Sequence, residues 1–362
     1  MTPVLSLGPF TVTPFGLIVF AGALCGVFLS LRKKETGPVL PFVILGALLF
    51  GHMWWVFFCP PGYSAEVGSA LLMLRIWEGG YTLYGALFGG LLGAVIGSKL
   101  SGLHLTDVLD ALAPGACAAL FFCRVGEYFT GQGFGEMVNE EGLWFLPVAF
   151  CTYQDEGYQE WNHAVWAWEA IVALILLVML LVRARRAVRG QQTVFFVTML
   201  GTTQILLEQF RRDDFVRLNP FVRFTQIAAL LSLIAVLILL VYKYRPGKKL
   251  IAASFAELTF ASLAVVFAEF VFEKPQFRIL LYISAVLSAI GFAILLWMYR
   301  GRFRLPASVI MLLATVVLVA IHIADQWISD AWMLYSLMAL ALVAIGTVVF
   351  LNAGPRTALQ ES

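Results

Sequence analysis

Arg124 closes an apolar run and opens a glycine-rich turn, CRVGEYFTGQGFG. A guanidinium at a membrane boundary, beside a turn rich in backbone N–H groups, can grip a phosphate through charge and bidentate hydrogen bonds. Just ahead lies IWEGGYTLYGALFGGLLGAVIG, in which Gly85, Gly89, Gly93 and Gly97 recur every four residues on one helix face. Small residues at that spacing let another helix backbone approach closely in lipid. Two readings stand side by side. One is an anion grip at the edge of a bilayer. The other is a tightly packed helix pair whose arginine snorkels to water.

Other side chains could serve the same chemistry. Tyr84 can donate a hydrogen bond, although a phenol pKa near 10 makes it a poor base, and it could equally be an interfacial belt tyrosine. Glu127, three residues after Arg124, could act as a base or pair with that arginine. Glu208 lies four residues after Gln204, so the two share a helix face. The stretch RRDDFVRLNPFVRF gathers Arg211, Arg212, Arg217 and Arg223, either for a phosphate or for pairing with Asp213, Asp214, Glu136, Glu140 and Glu141. His163 sits near a helix start, while His52 and His104 read as structural. Five cysteines without CxxC spacing argue against zinc. Cys25, Cys117 and Cys123 read as apolar core; Cys59 and Cys151 both fall outside the membrane, where they could pair.

The elements that position these groups are membrane helices. The chain has 362 residues, 61% of them hydrophobic and only 13% charged. Its mean hydropathy of +0.88 and repeated apolar runs of about 20 residues indicate a multi-span membrane protein. A net charge of +2 carries no general nucleic-acid signal. The opening MTPVLSLGPFTVTP has no basic n-region, so no cleavable signal peptide is expected.

Eleven spans are expected, at about 13–31, 39–58, 82–98, 107–124, 164–182, 193–210, 223–242, 250–271, 278–298, 305–323 and 332–351. Sixteen basic residues fall on one side of these spans and eight on the other. The positive-inside rule then puts the N-terminus outside and the C-terminus in the cytoplasm. Residues 125–162 form the longest external segment, rich in aromatics and acids and too short to be a domain. They read as a small head or lid. Beyond Lys249 no motif appears; Glu257, Glu269, His322 and Asp325 stand out among the ionisable residues in or near the ends of the last four helices.

IWEGGYTLYGALFGG followed by CRVGEYFTGQGFG resembles the central signature of the prolipoprotein diacylglyceryl transferase family, roughly W-x-G-G-x-x-x-H-G-G-L and later G-R-x-G-N-x-x-N-G-E-x-x-G. The likeness extends over about residues 5–245. It takes in SLGPFTVTPFGLIVFAGAL, LDALAPG with Asp110 and Pro114, NHAVWAWEA with His163 and Glu169, and LLEQFRRDD with Glu208 and its basic pair.

The resemblance implies transfer of a diacylglyceryl group from phosphatidylglycerol to the thiol of a lipobox cysteine in a secreted precursor. Glycerol phosphate would be the leaving group, and neither metal nor organic cofactor would be needed. It makes Arg124 the phosphate contact and Gly126, Gly131 and Gly135 the turn glycines. Tyr84, Arg124 and Glu208 become the catalytic candidates. Glu127, Gln132, Gly135, Gln204, Arg211, Arg212 and His163 become the substrate-binding ones.

The chain departs from the family at chemical positions. Tyr84 replaces a histidine, Glu127 an asparagine, Gln132 a glutamate, Gln204 an arginine and Phe15 a tyrosine, and Met53 stands where an arginine is common. A phosphate site that loses an arginine and gains a carboxylate binds anions less well. Arg211, Arg212 or Arg217 could compensate from the following loop.

The expected fold is an all-α polytopic membrane protein. A seven-span transferase-like domain (residues 1–249) with a small external head is followed by four further transmembrane helices in an extension (residues 250–362). The expected partners are phosphatidylglycerol or a related phospholipid, a prolipoprotein signal peptide with its lipobox cysteine, and the plasma membrane. Two alternatives stay open: a divergent or inactive homologue that binds lipid or precursor, or acts on another lipid or acceptor, and a transporter. Internal repeats or paired broken helices would mark the transporter, and the sequence has neither.

Overall fold

The computed structural model describes residues 5–7, 10–58, 80–155, 158–184, 187, 189–212 and 223–244, with isolated positions between 276 and 290. Apart from those positions, the expected C-terminal spans lie outside the described residues, as do Cys59, Asp213, Asp214 and Arg217. The chain divides into two compact units: residues 1–200 with 210–228, and residues 201–209 with 229–362.

Two short antiparallel strands, β1 (Leu5–Leu7) and β2 (Phe10–Val12), precede the first helix. Helix α1 (Pro14–Ser30) starts at Thr13, whose hydroxyl accepts the Gly16 N–H at 3.1 Å, with Pro14 pre-set for the first turn. Helices α2 (Leu40–Phe58), α3 (Leu83–Leu100), α4 (Leu105–Thr130), α5 (Val165–Arg183), α6 (Gln191–Leu207) and α7 (Phe224–Tyr244) follow. Among the described residues, four helical stretches are long and apolar enough to cross a membrane: Thr36–Phe58, Leu83–Leu100, Leu105–Thr130 and Val165–Arg183. Pro14–Ser30 and Phe224–Val236 are shorter apolar helices.

The glycine row has a defined partner. A Cβ at Gly85 would stand 2.7 Å from the Phe50 carbonyl, and one at Gly97 would stand 2.8 Å from the Val39 side chain. Phe50 is in α2 and Val39 immediately precedes it, so the bare face of α3 is closed by α2 along its length. It is a helix-packing seam rather than a groove open to lipid, because only a missing Cβ lets the two backbones touch.

Helix α4 runs longer than expected, to Thr130, and ends on Gly131 at φ +67, a left-handed cap that glycine adopts without strain. Gly126 and Glu127 are therefore helical, and Gly126 is a contact rather than a turn residue: a Cβ there would meet the Phe15 ring at 2.8 Å. At the opposite end of α4, Asp110 caps α6. Its carboxylate accepts from the N–H of Gly190 at 2.6 Å and from the N–H and hydroxyl of Thr193 at 2.9 and 2.7 Å. Asp107 pairs with Arg189 beside it. The core of the first unit lies between α4, α5 and the start of α6, around Ala113, Cys117, Leu120, Ala173, Leu176, Leu180, Phe196 and Leu200.

The segment between α4 and α5 carries an antiparallel hairpin, β3 (Ala149–Asp155) and β4 (Tyr158–His163), pairing Ala149 with His163. Trp144 and Trp161 stack on it with ring centroids 5.5 Å apart. Phe150, Ala164, Trp166 and Ala167 bury together and tie the hairpin to the start of α5. Cys151 is a free thiol. In the second unit, the end of α6 packs on α7: a Cβ at Gly201 would meet Leu233 at 3.0 Å.

Candidate functional site

Four charged side chains from three parts of the first unit meet inside it. Arg124 and Glu127 stand one turn apart on α4, so they point the same way. Glu169 comes from the second turn of α5. Arg211 follows a short 3-10 turn, Glu208–Phe210, beyond the end of α6. Arg124 Nη1 pairs with Glu127 Oε1, and Arg211 Nη1 lies 3.3 Å from Glu127 Oε2. Glu169 Oε2 lies 3.2 Å from Arg124 Nε and 2.8 Å from Arg211 Nη1. The result is a closed ring of alternating charge, Arg124, Glu127, Arg211 and Glu169, with no side chain more than 9% exposed.

Such a ring is costly to bury, since the desolvation of each ion offsets most of the attraction. Its positioning is correspondingly elaborate. The Arg211 carbonyl accepts from Arg223 Nη2 at 2.5 Å, and the Arg223 N–H donates to Gln226 Oε1 at 3.0 Å at the start of α7. Glu127 occupies space left by a glycine: a Cβ at Gly133, where φ is +71, would lie 2.6 Å from Glu127 Oε2. A Cβ at Gly135 would lie 2.8 Å from the Phe210 carbonyl and 2.9 Å from His163 Cβ, so that glycine lets three segments cross. Its N–H donates to the His163 carbonyl at 2.8 Å.

The expected site residues thus separate. Arg124, Glu127 and Arg211 come together, with Gly135 bracing the turn above them. Arg212 turns the other way: half-exposed, it pairs with Glu136, and its N–H donates to the Phe134 carbonyl at 2.8 Å. Gln132 is exposed in the turn after α4. His163 ends β4, its ring 5.4 Å from that of Trp168. Tyr84 stands in the first turn of α3, half-buried, with its hydroxyl buried. Gln204 and Glu208 are buried and belong to the second unit.

Two participants were not among the expected site residues. Glu169 was legible only as a retained residue of NHAVWAWEA. A sharper signal was available: Glu169, Ala173, Leu176 and Leu180 form the buried stripe of α5, and an acid on the buried stripe of a membrane helix marks a function or a partner. Arg223 showed itself only as one of several basic residues in its loop.

The sequence pattern of the prolipoprotein diacylglyceryl transferase family matches residues 3–242. The phosphatidylglycerol–prolipoprotein diacylglyceryl transferase of Parasynechococcus marenigrum (strain WH8102) is 32% identical over 229 residues, covering 58% of this chain and 80% of that protein. The protein of the same name from Bacillus velezensis is 24% identical over 251 residues, 67% of this chain and 91% of that protein. The one from Tropheryma whipplei (strain Twist) is 28% identical over 220 residues, 57% of this chain and 79% of that protein.

Proposed function

The chain belongs to the prolipoprotein diacylglyceryl transferase family, and from that premise we propose that it moves a diacylglyceryl group from phosphatidylglycerol to the lipobox cysteine thiol of a prolipoprotein. The work is done at the outer face of the plasma membrane. The observation that carries the site assignment is the buried arginine pair, Arg124 and Arg211, at the end of α4 beneath the glycine turn.

The reaction forms a carbon–sulfur bond and breaks the carbon–oxygen bond to phosphate. The thiolate is the nucleophile, so the thiol proton must leave to an acceptor. Glycerol phosphate departs with the bonding pair and gains a charge as it goes. Arg124 and Arg211 are assigned to hold the phosphate and to stabilise that growing charge. Of the two adjacent arginines, burial beside Glu127 and Glu169 favours Arg211 as the second group that holds the phosphate. Arg212, which pairs with Glu136 at the surface, is assigned to the turn's architecture. By its place in the family pattern, and not by any contact, Glu208 is assigned as proton acceptor, and the Tyr84 hydroxyl as a hydrogen-bond donor to the reacting groups.

The seven described helices, α1 to α7, support a seven-span transferase-like domain ending near residue 249, with the four-helix extension beyond it. The basic-residue asymmetry of the loops supports an N-terminus outside and a C-terminus in the cytoplasm. The self-paired charge ring is the observation that favours the alternative, a homologue that binds lipid without turnover.

One assay separates the two. Purified protein in phosphatidylglycerol vesicles receives a lipobox peptide, and the thioether product is followed by its mass shift. The parent should give product and Arg124→Ala should lose it by at least about a hundredfold. Phospholipid binding without product from the folded parent would overturn the transferase reading.

A further inference from the structure

We propose that Glu127 is a tethered anion that competes with the lipid phosphate for Arg124 and Arg211, and so sets which head groups the site accepts. The inference rests on the assignment of those arginines to phosphate. Both guanidinium groups are already engaged: Glu127 bridges them with its two carboxylate oxygens, and Glu169 bridges them with one. A lipid phosphate reaches either arginine only when a carboxylate yields.

Glu127 is the one placed to yield. Glu169 is pinned on the buried stripe of α5, with its side chain 2% exposed. Glu127 stands one turn from the end of α4, before the left-handed cap at Gly131. Its carboxylate lies against Gly133, in the turn whose neighbours Gly131 and Gln132 are exposed. A rotation about the Glu127 side chain toward that turn uncovers both arginines and leaves Glu169 holding them.

Charge decides the exchange. Phosphatidylglycerol is a phosphodiester with a single negative charge, the same as the carboxylate it displaces, so it gains little on binding. As the carbon–oxygen bond breaks, the leaving glycerol phosphate becomes a monoester carrying about −1.5 to −2 at neutral pH. The arginine pair then prefers the leaving group to Glu127. Glu127 stays displaced from the lipid complex through the transition state, so its competition is felt in KM and not in kcat. A membrane lipid tolerates weak binding because its local concentration is high. A zwitterionic head group is discouraged less, since its ammonium can stay beside the displaced carboxylate.

The test measures lipid binding and transfer separately. Parent and Glu127→Gln protein are placed in phosphatidylcholine nanodiscs containing graded fractions of phosphatidylglycerol or phosphatidylethanolamine. In the variant, the half-saturating fraction of phosphatidylglycerol should fall by about tenfold or more, as should the KM in the transfer assay. Selectivity over phosphatidylethanolamine should rise, and free glycerol phosphate should inhibit at a correspondingly lower concentration. Glu127→Asp keeps the charge, shortens its reach and should fall between the two; it carries the comparison if the Gln variant does not fold. Equal or weaker phosphatidylglycerol binding in a folded variant overturns the proposal, whatever the parent transfers. Tighter binding together with no transfer by the parent would overturn the transferase reading and leave this one standing.

Discussion

Replacing Glu169 by Gln removes the single oxygen charge that both arginines share, at 3.2 Å from Arg124 Nε and 2.8 Å from Arg211 Nη1. The amide keeps nearly the same volume and can still accept one hydrogen bond, so the change is electrostatic rather than a cavity. Two charge-assisted contacts are weakened, each worth about 1.5–3 kcal/mol. Breaking a buried pair by removing one partner costs about 3–5 kcal/mol, because the remaining charge stays buried. The two figures agree. In thermal unfolding followed by tryptophan fluorescence, this should appear as a Tm lowered on the order of 10 °C.

Activity should suffer separately. With Glu169 neutral, Arg211 and Arg124 lose the carboxylate that holds them from α5, and a slip of about 1 Å in positioned groups costs about a hundredfold in rate. The assay is transfer to the lipobox peptide in phosphatidylglycerol vesicles, with kcat/KM measured below the melting transition. The contrast with Glu127→Gln is the decisive part, since both changes remove one negative charge from the same ring. Removing the movable carboxylate should tighten phosphatidylglycerol binding, and removing the pinned one should cost stability and turnover. A Glu169→Gln protein with Tm within about 2 °C of the parent and transfer within about twofold would refute the assignment of Glu169 as the fixed support of the pair.

Two further outcomes follow from the geometry. Asp110→Ala strips three acceptor contacts from Gly190 and Thr193 at the start of α6; with hydrogen bonds to a charged group worth about 1.5–3 kcal/mol each before relaxation, it should lower Tm clearly while leaving the KM for lipid unchanged in the surviving fold. Arg212→Ala removes only a half-exposed surface pair with Glu136; exposed pairs are worth about 0–1 kcal/mol, so transfer should stay within about threefold, whereas an Arg212 that held phosphate would lose far more.

The sequence by itself determined the class and the ladder of helices. Each of the first seven apolar runs corresponds to a helix, six of them within a few residues and α4 six residues longer at its C-terminal end, because hydrophobic length and terminal signals such as Thr13–Pro14 are local properties. It also singled out Arg124, an arginine closing an apolar run ahead of a glycine-rich stretch, without deciding between an anion grip and a snorkelling side chain. The spacing of Gly85, Gly89, Gly93 and Gly97 announced a close helix partner. Only the structure supplied α2 as that partner and closed the seam.

What tertiary structure alone decided is the charge ring. Arg211 and Arg212 are neighbours in an irregular stretch, where no periodicity tells which side chain turns inward, and the first is buried while the second pairs at the surface. Glu169 reaches Arg124 across 45 positions of sequence, a contact set by how α4 packs on α5 and not by any local pattern. Glu127, three residues from Arg124, is within pairing distance in any helix, yet that spacing says nothing of Arg211 on its other side. Local spacing fixes which way a side chain leaves its own helix; which charges it then meets depends on segments that are neighbours only after the chain has folded.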